Sequence, residues 1–110
     1  MSTMKESIAR HLSAHGWAPG RYSMVANRYY PTAVGEKEAQ AYLKDFGPDS
    51  ESFILDGTYY SEGRNALSVG VMIPKDADDE TIRRLVAQFA AQADKSIGQT
   101  YAARLLRFLQ

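Results

Sequence analysis

The sequence predicts an α+β fold in the order α-β-α-β-β-α, with a small mixed or antiparallel three-stranded sheet packed against a long C-terminal helix. Three observations carry this expectation. From residue 78 onward, Ile82, Leu85, Val86, Phe89 and Ala93 recur at three- and four-residue steps, the spacing of one helical face. Residues 67–73 alternate large and small side chains as a half-buried strand does, and Pro74 closes the run. Residues 52–60 place Phe53, Leu55 and Tyr59 on one strand face and Ile54, Thr58 and Tyr60 on the other.

Taken in order, residues 4–15 read as a first helix. Thr3 and Glu6 have capping-box spacing, Met4, Ile8 and Leu12 form a stripe, and Gly16 suits a C-cap. Trp17 is expected to fold back over this helix. Residues 21–30 are rich in strand formers, with Tyr22, Met24, Ala26 and Tyr30 on one face and Arg21, Ser23, Val25, Asn27 and Tyr29 on the other; Pro31 is read as the end of that strand. A short helix is expected from Gly35 or Glu36 to Phe46, with Ala39, Tyr42, Leu43 and Phe46 on one side and Gly47-Pro48 as a stop. The first and second strands, if neighbours, would then be joined by a right-handed parallel crossover. Residues 61–65, SEGRN, supply a tight connection, so the second and third strands form an antiparallel hairpin. Asp76 or Asp78 caps the last helix.

A chain of 110 residues with 45% hydrophobic content is read as one domain, spanning 1–110. Cysteine is absent, which removes disulfides, thiolate metal sites and a cysteine nucleophile. A reducing, cytoplasmic setting is the simplest fit to a chain without cysteine; the first residues meet charge early and lack the apolar stretch of a secretory signal, and no apolar run is long enough to cross a bilayer. Basic and acidic residues balance at 13 each, leaving no net charge to attract nucleic acid at long range. Acid gathers at Asp45, Asp49, Glu51 and Asp56 and again at Asp76, Asp78, Asp79 and Glu80; base follows at Arg83, Arg84, Lys95, Arg104 and Arg107. Part of that asymmetry suits the helix macrodipole.

The long helix carries an irregularity. The stripe of Ile82, Val86, Phe89 and Ala93 is offset by roughly 100° from that of Tyr101, Leu105, Phe108 and Leu109 on a straight helix. Either the chain bends near Gly98 and the last segment wraps the same core, or the helix continues and offers Leu105, Leu106, Phe108 and Leu109 to a partner or to a second copy.

Candidate chemistry is sparse. His11 and His15 have the i,i+4 spacing of metal ligands, but no glutamate follows His11 and no third ligand is marked, so no metal or other cofactor is expected. The stretch around Glu62, Arg64 and Asn65, beside Tyr60, combines an acid, a forked cation and an amide, as an anion or partner site does; it also reads as a solvated hairpin turn. Glu62 and Asp56 are conceivable paired carboxylates for hydrolysis, given a pocket joining them to His11 or His15. Arg21, Arg28, Tyr22, Tyr29 and Tyr30 mix cations with aromatics as nucleic-acid-binding sheets do. The helix-strand order is also that of KH-like domains, but their GxxG loop is absent.

The segment YYSEGRNALS at 59–68, followed by Ile73-Pro74 and the acidic start of the long helix, resembles small uncharacterised proteins carried on bacterial plasmids and integrative elements. The likeness covers about the second half of the chain. It implies an accessory protein that binds and modulates a larger host or element complex, and it brings no site residues.

Together these readings point to a non-enzymatic interaction module binding a protein through Tyr29, Tyr60, Glu62, Arg64 and Asn65, with oligomer contacts at Leu105, Leu106, Phe108 and Leu109. Tyrosine and arginine are frequent interface anchors because each joins contact area to a polar tip. Nucleic-acid binding is the alternative, and a hydrolase with an unrecognised carboxylate site the third reading.

Overall fold

The computed structural model describes residues 3–32, 35–61 and 64–109, and their side chains except at 32, 35, 37, 60–68 and 97–109. The chain forms α1 (Met4–Ser13), β1 (Ala18–Pro19), β2 (Ala26–Thr32), β3 (Gly35–Asp45), β4 (Ser52–Ser61), β5 (Arg64–Pro74) and α2 (Asp79–Leu109). The strands make one five-stranded sheet in the order β1-β2-β3-β4-β5. Every neighbouring pair is antiparallel, so the sheet is a meander of hairpins.

This corrects the expected three-stranded sheet and the expected middle helix. Residues read as a helix up to Phe46 form β3, and the supposed parallel crossover is the antiparallel pair β2–β3. Ala39 and Ala41 are buried on one face of β3, Gln40 and Tyr42 lie on the other, and Phe46, which the helical stripe needed inside, is 68% exposed. Hydrogen-bonded neighbours on both sides outweigh the helix propensity of this Glu-, Lys- and Ala-rich stretch. The hairpin of β4 and β5 forms as expected, with a register shift between Tyr59 and Tyr60.

Two boundaries also differ. Arg21 to Met24 make a turn, closed by the Met24 N–H donating to the Arg21 carbonyl at 3.1 Å, with Tyr22 in the left-handed region at φ 57°. Gly20 permits that turn, since a Cβ there would lie 2.5 Å from the Met24 carbonyl oxygen. Pro31 sits inside β2, opposite Glu36. It is tolerated because β1 pairs with β2 only at Ala26 and Asn27, leaving Pro31 at an edge where no donor is required.

Both helices start as their sequences require. The Glu6 N–H donates to Thr3 Oγ1 at 3.1 Å and the Thr81 N–H to Asp78 Oδ1 at 2.8 Å. α2 passes Gly98 as one 31-residue helix. The cost of a lone glycine, about 1 kcal/mol, does not interrupt it. The side chains of Leu105, Leu106, Phe108 and Leu109 lie outside the described residues. Among the described residues no helix is long and apolar enough to cross a membrane.

The register sorts side chains into two faces. Ala26, Ala41, Gly57 and Val69 form one row across the inner face, and Leu43, Leu55 and Val71 another. Against these rows α1 contributes Ile8 and Leu12, and α2 contributes Ile82, Val86, Phe89 and Ala93, all in one cluster with Trp17. Phe89 is fully buried, and its ring lies where a side chain at Gly57 would stand: a Cβ there would be 2.8 Å from Cζ. Trp17 packs on Phe89 at 5.7 Å between ring centroids and on Tyr30 at 6.4 Å.

Polar bonds close the helical side. Arg10 Nη2 donates to Asp79 Oδ1 at 2.6 Å, and His11 Nε2 lies 3.0 Å from the same oxygen, joining α1 to the start of α2. The Tyr30 hydroxyl donates to Asp94 Oδ1 at 2.6 Å. Arg28 donates to Asp94 and to the His15 carbonyl, and its guanidinium lies 4.7 Å from the centre of the Tyr30 ring. Burial first, and then the bond to the Asp94 carboxylate, push the Tyr30 hydroxyl well above the usual tyrosine range.

Gly57→Ala is expected to cost about 1–3 kcal/mol in urea denaturation by driving a methyl group into the Phe89 ring. Adding Phe89→Leu should make the double variant lose less than the sum of the two single losses. Tyr30→Phe should lose about 1 kcal/mol at neutral pH. Because the folded hydroxyl titrates above its unfolded value of about 10, its stabilisation is complete below that pH and is lost as pH rises towards the folded value; melts should show the gap to wild type narrowing only in alkali.

Candidate interaction surface

The face of the sheet away from the helices carries Asn27 and Tyr29 from β2, Glu36, Glu38, Gln40, Tyr42 and Lys44 from β3, Ile54, Asp56 and Thr58 from β4, and Gly70 and Met72 from β5. No described element covers it: Met72 is 64% and Tyr29 52% exposed. Alternation explains its composition, since every residue between two core positions of a strand must point here.

Glu38 is the centre of the polar arrangement. Asn27 Nδ2 donates to Oε2 at 2.8 Å and Gln40 Nε2 to Oε1 at 2.6 Å, while the Tyr42 hydroxyl donates to Gln40 Oε1 at 2.6 Å. The amides of Gln40 and Asn27, with smaller help from the Tyr29 hydroxyl and Arg21, hold the Glu38 carboxyl below its usual range against the effect of burial. Arg21 Nη2 stands 3.7 Å from Oε2. Beside this chain Lys44 Nζ lies 3.0 Å from Asp56 Oδ2, and Asp56 is only 8% exposed. Thr58 Oγ1 is buried without a hydrogen-bond partner among the described residues. A row of side chains tied to one another loses little rotamer freedom on meeting a partner, which favours binding.

Comparison with protein-family models, with curated proteins and with solved structures returned no match.

Of the residues expected to bind a partner, Tyr29 lies on this face. Tyr60 and Asn65 are opposed in the β4–β5 ladder, as are Ser61 and Arg64. The side chains of Tyr60, Arg64 and Asn65, and Glu62 altogether, lie outside the described residues. The Arg/Tyr group expected on one strand is dispersed: Arg28 and Tyr30 face the helices, Tyr29 faces away, and Arg21 and Tyr22 belong to the preceding turn. His11 is engaged with Asp79 on α2, while Asp56 lies on the opposite side of the sheet, so these two do not share a pocket. Among the described residues no group of three His, Asp or Glu side chains is placed to hold a metal. Open hollows of about 480 and 300 Å³ lie beside Lys75, one lined also by Glu51, Ser52 and Asp76 and the other by Met4, Ser7, Asp79 and Ile82.

Asn27, Glu38, Gln40, Tyr42 and Lys44 were not among the expected site residues. The signal was present as Glu-Gln-Tyr-Lys at every second position from 38 to 44, against Ala, Ala and Leu between them.

Glu38→Gln is expected to destabilise the protein by about 1 kcal/mol at neutral pH through weakened hydrogen bonds. The depressed folded pKa makes this contribution complete above the unfolded value of about 4.3 and removes it as pH falls through the folded value, so denaturation curves of variant and wild type should converge in acid.

Proposed function

We propose that this chain is a protein-interaction module that docks through the open face of its sheet and works by occupancy, not turnover. The observation that carries this reading is the Asn27–Glu38–Gln40–Tyr42 hydrogen-bonded chain on an uncovered face, flanked by the exposed Tyr29 ring and Met72. A small apolar area beside pre-positioned donors and acceptors is the composition of a protein-binding patch. The described face holds Glu36, Glu38 and Asp56 against Lys44, with Arg21 at its rim, so it suits a partner presenting lysine or arginine around an apolar anchor. The same charge distribution disfavours nucleic acid, because phosphates would meet carboxylates before they met a cation. The likeness to proteins of plasmids and integrative elements adds that the partner belongs to a larger host or element complex in the bacterial cytoplasm, where this protein acts as an accessory modulator or inhibitor.

A photo-crosslinking amino acid at position 72 tests the reading in cells that carry the protein. The expected result is a discrete protein adduct that disappears when Tyr29→Ala and Glu38→Lys are combined in a chain whose circular dichroism is unchanged. Submicromolar binding of mixed-sequence RNA or DNA that falls steeply with salt, with no protein adduct, would overturn it.

A further inference from the structure

Among the described residues β5 has a neighbour on one side only, and past the irregularity at Ala66, where Leu67 pairs with Tyr59 but Asn65 with Tyr60, its outer edge from Leu67 to Ile73 carries no charge, proline or further bulge. The opposite edge is guarded: β1 is two residues long and contains Pro19, and β2 beyond it contains Pro31. Residues 65–73 of β5, NALSVGVMI, contain neither a charge nor a proline. Val69, Val71 and Ile73 are buried beneath α2, so the strand is held extended and its edge is a fixed template. Every second residue of an antiparallel edge strand turns its N–H and C=O outward, and no described backbone group is bonded to those of Val69 to Ile73.

We propose that this edge pairs with the same edge of a second copy, antiparallel about a two-fold axis at Gly70, joining the two sheets into one. The strand is complementary to itself in that register. Val69 stands opposite Val71 of the second copy, both on the inner face, and Gly70 stands opposite its own counterpart. The pattern keeps apolar positions facing the helices in both copies, which a one-residue slip would reverse. Gly70 is exposed, and a glycine in a strand interior marks a place where another backbone can approach closely. Pairing would set two docking faces side by side in one plane, giving a partner with repeated sites a bivalent surface. The inference goes beyond the docking reading and stands or falls separately from it.

Sedimentation velocity on the full chain should show a species of twice the 12.2 kDa chain mass that dissociates on dilution. Gly70→Lys places like charges directly opposite each other across the axis and should raise the dissociation constant roughly tenfold or more. The monomer has room for the new side chain, because a Cβ at Gly70 meets only Ile54 Cγ2, at 3.6 Å. Gly70→Cys is the independent readout. Directly opposed residues of antiparallel strands have Cα atoms about 4.5–5.5 Å apart, within disulfide range, and the chain has no other cysteine, so mild oxidation should give a covalent dimer in high yield. A wild-type protein that stays monomeric at high concentration, a Gly70→Lys dimer of unchanged affinity, or a Gly70→Cys chain that fails to cross-link would each overturn the proposal. A monomer would leave the position-72 adduct to be judged by itself.

Discussion

Phe89 seated over Gly57 is the contact on which the rest of the architecture depends. A helix can approach a sheet closely only where the sheet offers small side chains, and Ala26, Ala41 and Gly57 lie side by side across three strands in one row of the inner face, with Gly57 directly under Phe89. The ring fills the space that a Cβ at Gly57 would take, and Trp17 closes over it from the turn after α1. Fully burying a side chain of this size contributes about 1.5–3 kcal/mol, and here it also sets where α2 crosses β4 and β5. α1 then has one place to go: Ile8 and Leu12 complete the same cluster, and Arg10 and His11 fasten its outer side to Asp79.

With both helices committed to one face, the other face is left to satisfy itself. Asn27 is 7% and Asp56 8% exposed although no described element lies over them. Polar groups so shielded are costly unless paired, and they are paired: Asn27 with Glu38, and Asp56 with Lys44. The chain that runs through Glu38, Gln40 and Tyr42 is thus first a condition of the fold. In the proposed function it would serve as a recognition surface because the same bonds hold its donors and acceptors in place before any partner arrives.

The ends of the chain were legible in the sequence and its middle was not, for a physical reason. Thr3 and Asp78 cap their helices as their positions predict, since a cap is a local bond between residues three apart. The hairpin of β4 and β5 was legible because its turn residues and alternation are adjacent in sequence. β3 was misread because its residues favour a helix locally, and the strand is imposed by β2 and β4 from both sides, information spread from residue 26 to residue 59. That one error concealed most of the candidate surface. Tyr29 does lie on that face, but the expected helix puts Tyr42 in its apolar stripe and leaves Glu38, Gln40 and Tyr42 without a common line.

Arg28 shows how the fold assigns a side chain whose role composition alone leaves open. In sequence it stands directly before Tyr29 and Tyr30, a mixture of cation and aromatics that nucleic-acid-binding sheets also carry. In the fold its guanidinium lies over the Tyr30 ring and donates to the Asp94 carboxylate and the His15 carbonyl, tying β2 to α2 and to the turn after α1. A cation already holding a carboxylate, a carbonyl and a ring face must release them before it can meet a phosphate, and bonds to charged groups are worth about 1.5–3 kcal/mol each. The adjacent Tyr29, turned by the pleat to the other side, carries no such obligation to the core. One residue of register thus separates a side chain tied to the helical side from one whose hydroxyl meets Glu38 on the uncovered face.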